Sequence, residues 1–373
     1  LRTAHGIWVV SQQLGVDHRI SLVCGPVLPD LSMPYRGGMA APAHSETLTT
    51  TQTAAIVFNP IKVNEAKLRA AVAAAESAAG WGESLFYETS EEDPGGGQTR
   101  QALDAGADVV MAAGGDGTVR FVAEALRGSG IPLALLPSGT GNLLARNLHL
   151  TLDNLAESVA TAFTGKDRRI DLGIMEARRE DGSEDSHVFL VMAGIGLDAD
   201  MLANTNPKLK ARVGWLAYVD AIARSLKGSN RLRIRYQLDG APARTLNAHT
   251  VLIGNCGSLP ANILLLPEAV VDDGIFDIVA LRPDGFIGWV QIWVKIVWEN
   301  GVLRRSQVGR KLMSLTKEVR TLRYMKGAQL VLRLENPQEF ELDGDPFGEA
   351  VALKASVDPL ALAIRIPADK EIG

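Results

Sequence analysis

Between Ala112 and Phe121 the chain reads Ala-Ala-Gly-Gly-Asp-Gly-Thr-Val-Arg-Phe, and few stretches leave a polypeptide less choice. Before it, Asp108 to Met111 is a short apolar run that reads as a buried parallel strand; after it, Val119 to Arg127 has helical spacing. Strand, glycine turn, helix is the grammar of a phosphate site. Glycines let the backbone approach an anion closely, and the first amides of the helix point free N–H groups at it. Asp116 would repel a bare phosphate there, so its presence makes sense where Mg²⁺ or its water shell lies between the two.

The neighbouring segments repeat the pattern. Ala54 to Phe58 reads as a strand ending in Asn59-Pro60, Asn64 to Ala79 as an alanine-rich helix capped by Asn64, Leu85 to Thr89 as a strand and Gln98 to Ala105 as a helix. A further strand, Ile131 to Leu136, runs into a second glycine loop, Pro137-Ser-Gly-Thr-Gly-Asn142, followed by a helix from Leu143 to Leu148. Helical crossovers imply a parallel sheet covered on both faces, whose strand ends share one edge. Both loops therefore face one crevice. After about residue 165 strands dominate: Arg169 to Ala177, His187 to Ala193, Arg231 to Leu238, Ala248 to Asn255, Ile275 to Leu281 and Leu330 to Leu334, with helices only at Ala211 to Leu226 and Phe286 to Trp298. The expected fold is α/β plus β: a three-layer parallel-sheet nucleotide lobe over 54–165 and an antiparallel β-sandwich lobe over 166–368, with a cleft between. Residues 1–53 read as a loosely ordered extension rich in Pro, Gly, Ser and Thr.

Several classes are excluded or disfavoured. A net charge of -5 argues against an electrostatic nucleic-acid partner. Cys24 and Cys256 lie far apart without metal-ligand spacing, and the six histidines are scattered, so a reducing cytoplasm fits best. No apolar run approaches the roughly 20 residues that span a bilayer. There is neither a Walker loop nor a dinucleotide-binding Gly-x-Gly-x-x-Gly turn.

Taken together, the motifs resemble the diacylglycerol kinase catalytic family, which includes sphingosine kinases and bacterial soluble lipid kinases. Gly114-Gly-Asp-Gly-Thr118 and Leu136-Pro-Ser-Gly-Thr-Gly-Asn142 resemble its two loops. Asp171-Leu-Gly173, Val191 to Ala199, Gly214 to Tyr218, Asp272-Asp-Gly274 and Leu342-Asp-Gly-Asp345 follow in the family's order. The resemblance implies ATP contacts at Asn59, Thr89, Gly114, Gly115, Asp116, Gly117, Thr118, Val119, Arg120, Phe121, Gly139, Thr140 and Asn142. It implies an acidic Mg²⁺ network with Asp116 and Asp171, a general base at Asp343 with Asp345 holding the turn or binding metal, and a structural Mg²⁺ site of Asp273 with the main-chain oxygens of Val270 and Ile275. From spacing alone, Asp343-Gly344 reads first as a hairpin turn and Asp272-Asp273 as a solvated one.

The sequence also departs from the family. Leu143 replaces a frequent Asp, Arg120-Phe121 replace Asn-Glu, Ile61 and Lys62 replace small residues after Asn-Pro, and Asp345 replaces Glu. The implied activity is transfer of the ATP γ-phosphoryl to a lipid hydroxyl, foremost diacylglycerol, at the membrane surface; a homo-oligomer is compatible with the chain. Trp289, Ile292, Trp293, Ile296 and Val297, followed by Arg304 and Arg305, form a stripe suited either to an anionic interface or to packing on the sandwich. An NAD kinase-like phosphotransferase and a catalytically silent lipid-binding protein are the alternatives.

Overall fold

The computed structural model describes residues 51–196, 232–259, 263–264, 266, 268–282 and 322–369. The first half alternates strand and helix: β1 (Ala54–Phe58), α1 (Glu65–Ala79), β2 (Leu85–Glu88), α2 (Gly96–Asp104), β3 (Val109–Gly114), α3 (Asp116–Leu126), β4 (Leu133–Pro137), α4 (Leu143–Asn147) and α5 (Leu155–Thr164). Strands β2, β1, β3 and β4 lie side by side in that order and all parallel. Period-two alternation explains the three layers. Ala54, Ile56 and Phe58 pack with Leu68 and Val72 of α1 and Val159 and Phe163 of α5, whereas Ala55 and Val57 pack with Ala102 of α2 and Val122 and Leu126 of α3.

Local chemistry sets the helix boundaries. The Asn64 side chain accepts from Lys67 N–H and caps α1, which ends at Gly80 in the left-handed region (φ 73°). Helix α2 starts at Gly96 rather than at Gln98, because both oxygens of Asp93 accept the Gly97 N–H at 3.0 Å and fix the first turn. Helix α5 was not expected from the sequence, although Leu155, Val159, Ala162 and Phe163 have helical spacing and Asn154 caps it through Glu157 N–H.

The second half contains β5 (Lys166–Arg178), β6 (Glu184–Phe189), β7 (Met192–Ile195), β8 (Leu232–Leu238), β9 (Arg244–Ala248), β10 (Thr250–Gly254), the short pair β11 (Ser258–Leu259) and β12 (Ile263–Leu264), β13 (Phe276–Leu281), β14 (Leu322–Gly327), β15 (Gln329–Leu342) and β16 (Asp345–Ile366). Pairing among them is antiparallel, as the alternation of Leu232, Ile234 and Tyr236 anticipates. The helices expected over 211–226 and 286–298, and the aromatic and basic stripe, lie outside the described residues.

One strand joins the two halves. Along most of its length β16 pairs with β15 and β5, and near its end Ile364 lies parallel beside Leu133 of β4. The sheet consequently runs from the α/β half into the sandwich without interruption. So does one of the three hydrophobic cores, which includes Val122 and Leu126 of α3 together with Ile170, Val188 and Val279.

Asp171 fixes the irregular part of this junction. It is fully buried in β5, opposite a register shift in β16 between Asp358 and Leu362. One carboxylate oxygen accepts the Leu360 N–H and the other the Gly274 N–H, both at 2.7 Å. Replacing Asp171 by Ala leaves both N–H groups without their acceptor and empties a fully buried position, and urea denaturation is expected to show a loss of about 3 kcal/mol.

Candidate functional site

Four strand ends form a row at the carboxyl edge of the parallel sheet. Thr89 N–H donates to Phe58 O, Asn59 N–H to Ala113 O and Ser138 N–H to Gly114 O, each at 2.9 Å. These bonds place Thr89, Asn59, the first glycine loop and the second glycine loop side by side. The two loops meet closely: a Cβ on Gly139 would come within 2.8 Å of the Gly115 Cα. Gly114 has a separate reason to be glycine, since a Cβ there would lie 2.6 Å from the Thr118 Cβ packed over it.

Asp116, the first residue of α3, ties the loops together. Its Oδ2 accepts from Asn142 N–H at 2.9 Å and its Oδ1 from Leu143 N–H at 2.5 Å. Burial pushes its carboxyl above the usual range, opposed by those main-chain bonds and reinforced by nearby Asp345. The Leu143 side chain is buried, so this departure puts apolar packing where the family pattern puts a charge while its backbone still serves Asp116. Asn142 (φ 47°) closes its own loop, donating to Gly139 O at 2.8 Å and accepting from Gly139 N–H at 3.0 Å.

The expected nucleotide residues accordingly divide into two groups. Gly115, Asp116, Gly117, Gly139 and Thr140 lie in or beside the loops, with Thr140 exposed. Thr118 and Val119 are buried in packing, and the Asn59 side chain shapes its own turn by accepting the N–H groups of Ile61 and Lys62. Phe121 lies under Arg120, whose guanidinium is 4.3 Å from the Phe121 ring and 4.5 Å from that of Phe347.

Arg120 connects this edge to the sandwich. It is only 1% exposed, and its Nη2 donates to Asp345 Oδ2 at 3.1 Å. Stacking on two rings favours the buried guanidinium. Asp345 lies just past the β15–β16 turn, where Leu342 pairs with Asp345 and both central residues, Asp343 (φ 52°) and Gly344 (φ 89°), have positive φ. Asp343-Gly344 is thus a two-residue hairpin turn and a candidate catalytic element at once.

Asp343 is buried, and its side chain folds back onto the break between β6 and β7. Leu190 N–H donates to Oδ2 at 2.8 Å, while Val191 and Met192 N–H donate to Oδ1 at 2.8 and 3.0 Å. The single strand expected over 187–193 is split for this reason: Leu190 and Val191 turn their amides to Asp343. Burial raises the Asp343 pKa to about 6 despite those three donors and the Arg120 charge. A carboxylate has about four acceptor positions, so the free one is on Oδ2.

Two residues of this region were missed in the sequence. Asn255 is fully buried and donates from Nδ2 to Asp171 O at 2.9 Å and to Leu190 O at 3.0 Å, holding the segment that grips Asp343. A polar residue closing the apolar run from Ala248 was its only signal. Glu341 stands two residues before Asp343; burial, then repulsion from Glu339 and Asp345, raises its pKa to about 7.

The acidic residues of the two implied Mg²⁺ networks make hydrogen bonds and ion pairs within the protein. Asp171 is closed off by burial, and both Asp116 oxygens take main-chain donors. Asp273 is exposed and its Oδ1 accepts the Ile275 N–H at 3.2 Å, while Asp272 is held by Arg168 at 2.7 Å. No three His, Cys, Asp or Glu side chains among the described residues gather as metal ligands. Asp116 and Asp273 keep acceptor positions beyond these bonds, since a carboxylate has about four.

Comparison with known proteins agrees with this layout. The diacylglycerol kinase catalytic domain model matches residues 53–175, and the model of the YegS C-terminal NAD kinase beta sandwich-like domain matches 190–296. The chain belongs to the diacylglycerol kinase catalytic-domain family, in its group of YegS-like lipid kinases. A Pseudomonas aeruginosa (strain UCBPP-PA14) protein named "Probable lipid kinase YegS-like" is 31% identical over 325 residues, covering 84% of this chain and 94% of that one. A Mycobacterium tuberculosis (strain CDC 1551 / Oshkosh) protein named "Diacylglycerol kinase" is 31% identical over 183 residues, 49% of this chain and 58% of that one. The fold matches the crystal structure of a "putative diacylglycerol kinase" from Bacillus anthracis str. Sterne with a TM-score of 0.64 at 20% identity, covering 86% of this chain and 97% of that one.

Glu341 binds its proton more tightly in the folded chain than an ordinary glutamate does, so its contribution to stability, full below the usual carboxylate range, is lost as pH rises through about 7. Glu341→Gln is therefore expected to raise the thermal midpoint at pH 8 relative to the parent chain, with little difference at pH 5. Melting curves at the two pH values measure it.

Proposed function

We propose that the chain transfers the γ-phosphoryl group of ATP to a lipid hydroxyl, with diacylglycerol as acceptor and phosphatidic acid as product. The observation that carries this reading is the contact between α3 and the hairpin: Arg120 and Asp345 bring the turn holding Asp343 to the helix that begins at the first glycine loop. Family membership supplies the kinase reaction and the lipid class. The name of the Mycobacterium relative supplies the particular acceptor.

Nucleotide phosphates lie against the amides of Gly115 and Gly117, with ATP arriving as its Mg²⁺ complex, a substrate. The acceptor hydroxyl donates to Asp343 Oδ2. As its oxygen bonds to the γ-phosphorus, the bond from that phosphorus to the β,γ-bridging oxygen breaks, ADP departs and the hydroxyl proton passes to Asp343. A carboxyl with a pKa near 6 is ionised at neutral pH yet basic enough to take that proton. Among the described residues no helix is long and apolar enough to cross a membrane. The lipid is reached by transient peripheral contact.

Labelled ATP incubated with the protein and a membrane lipid extract tests this. A chloroform-soluble product migrating as phosphatidic acid supports the reading, whereas label in another lipid overturns only the acceptor. Label on added NAD points to an NAD kinase-like enzyme, and no transfer points to a lipid-binding protein without activity. Asp343→Asn is expected to lower turnover by roughly 10²–10⁴-fold while leaving ATP affinity nearly unchanged. Its new amide faces main-chain N–H donors, so folding is checked by thermal melting; near-normal turnover in the folded variant rules out Asp343 as base.

A further inference from the structure

We infer that Lys62 is the side chain that grips the nucleotide phosphates, at the point where the two glycine loops touch. This rests on the reading that a nucleotide occupies those loops. A Cβ on Gly115 would come within 2.6 Å of Lys62 Nζ and 3.8 Å of the Gly139 Cα, so the ammonium lies against the crossing itself. Its position is built by main chain: Asn59 is fixed to β3 through Ala113 O, its Oδ1 accepts the Ile61 and Lys62 N–H groups, and its carbonyl accepts those of Lys62 and Val63. That turn leaves the Ile61 side chain 86% exposed and brings Lys62 over Gly115.

The surrounding charges favour the same assignment. Arg120, the other cation near the first loop, is engaged by Asp345 and enclosed by two rings. Asp116 is occupied by the amides of Asn142 and Leu143. Among the described residues no carboxylate pairs with Lys62, so its ammonium is available to an anion. A triphosphate lying on glycine amides needs fixed positive charge within a few ångströms, and a lysine on a flexible stem provides it as a point charge. Leu143, apolar where the family pattern carries Asp, removes a repulsion that would act on the same phosphates.

Calorimetric titration of the full chain with ATP and with adenosine, both in EDTA, separates the possibilities. Lys62 is exposed, so its variants are expected to melt with the parent protein. Lys62→Ala should weaken metal-free ATP by about tenfold to a hundredfold, leave adenosine binding unchanged, and be largely rescued by Lys62→Arg. Adding Mg²⁺ should narrow the difference, because the cation then shields the same oxygens. Equal ATP affinity in parent and Lys62→Ala would show a solvated lysine only and overturn the inference while leaving the nucleotide site standing. If the parent chain binds neither compound, the nucleotide site falls and the role of Lys62 with it.

Discussion

A carboxylate only accepts, and the acceptor capacity of Asp343 is the constraint on which the rest of this site depends. Three consecutive amides, from Leu190 to Met192, converge on its two oxygens. Amides aimed at one point cannot continue a ladder, so the break between β6 and β7 and the conformation of the hairpin turn form one structural unit. The desolvation that makes this arrangement costly also raises the proton affinity of the group. Asn255 completes the unit from beneath by holding the Leu190 carbonyl.

Asp116 and Asp171 use the same device elsewhere. Each receives main-chain N–H groups from distant segments, Asp116 from the second glycine loop and Asp171 from the 274 turn and the shifted part of β16. Both carboxylates fasten irregular backbone. Irregular backbone is where such fasteners are needed, because it lacks the regular pairing that satisfies amides in helices and sheets. The departure at Leu143 is tolerated for this reason, since Asp116 uses the backbone of that residue and not its side chain.

Much of the architecture was legible in the sequence. The short apolar run Ala54–Phe58 and the strand-loop-helix grammar of the two glycine loops pointed to the parallel half, because those signals are local. What was not legible depends on contacts between residues far apart in the chain. The pairing of Ile364 with Leu133, the burial of Arg120 between Phe121 and Phe347, and the occupation of Asp116 and Asp171 by main chain all join segments separated by many residues. Asp343 shows the boundary well. Its position was readable from a short motif, whereas its three donors lie some 150 residues away, as chain separations of 151 to 153 record. Helix α5 is a different case, a local signal that was present and passed over.

The long strand β16 has a mechanical meaning as well as a topological one. It starts at Asp345 beside the hairpin turn and ends beside β4, so displacement at the tip is transmitted along a single covalent beam to the sheet that holds both glycine loops. Two bodies linked this way cannot swing on a loose tether; any hinge must flex the beam itself. The ladder is already interrupted between Asp358 and Leu362, where Leu360 adopts φ 52° and Asp171 pins the backbone. At that interruption the beam is held by one side chain in place of a ladder, through the Leu360 N–H that Asp171 accepts.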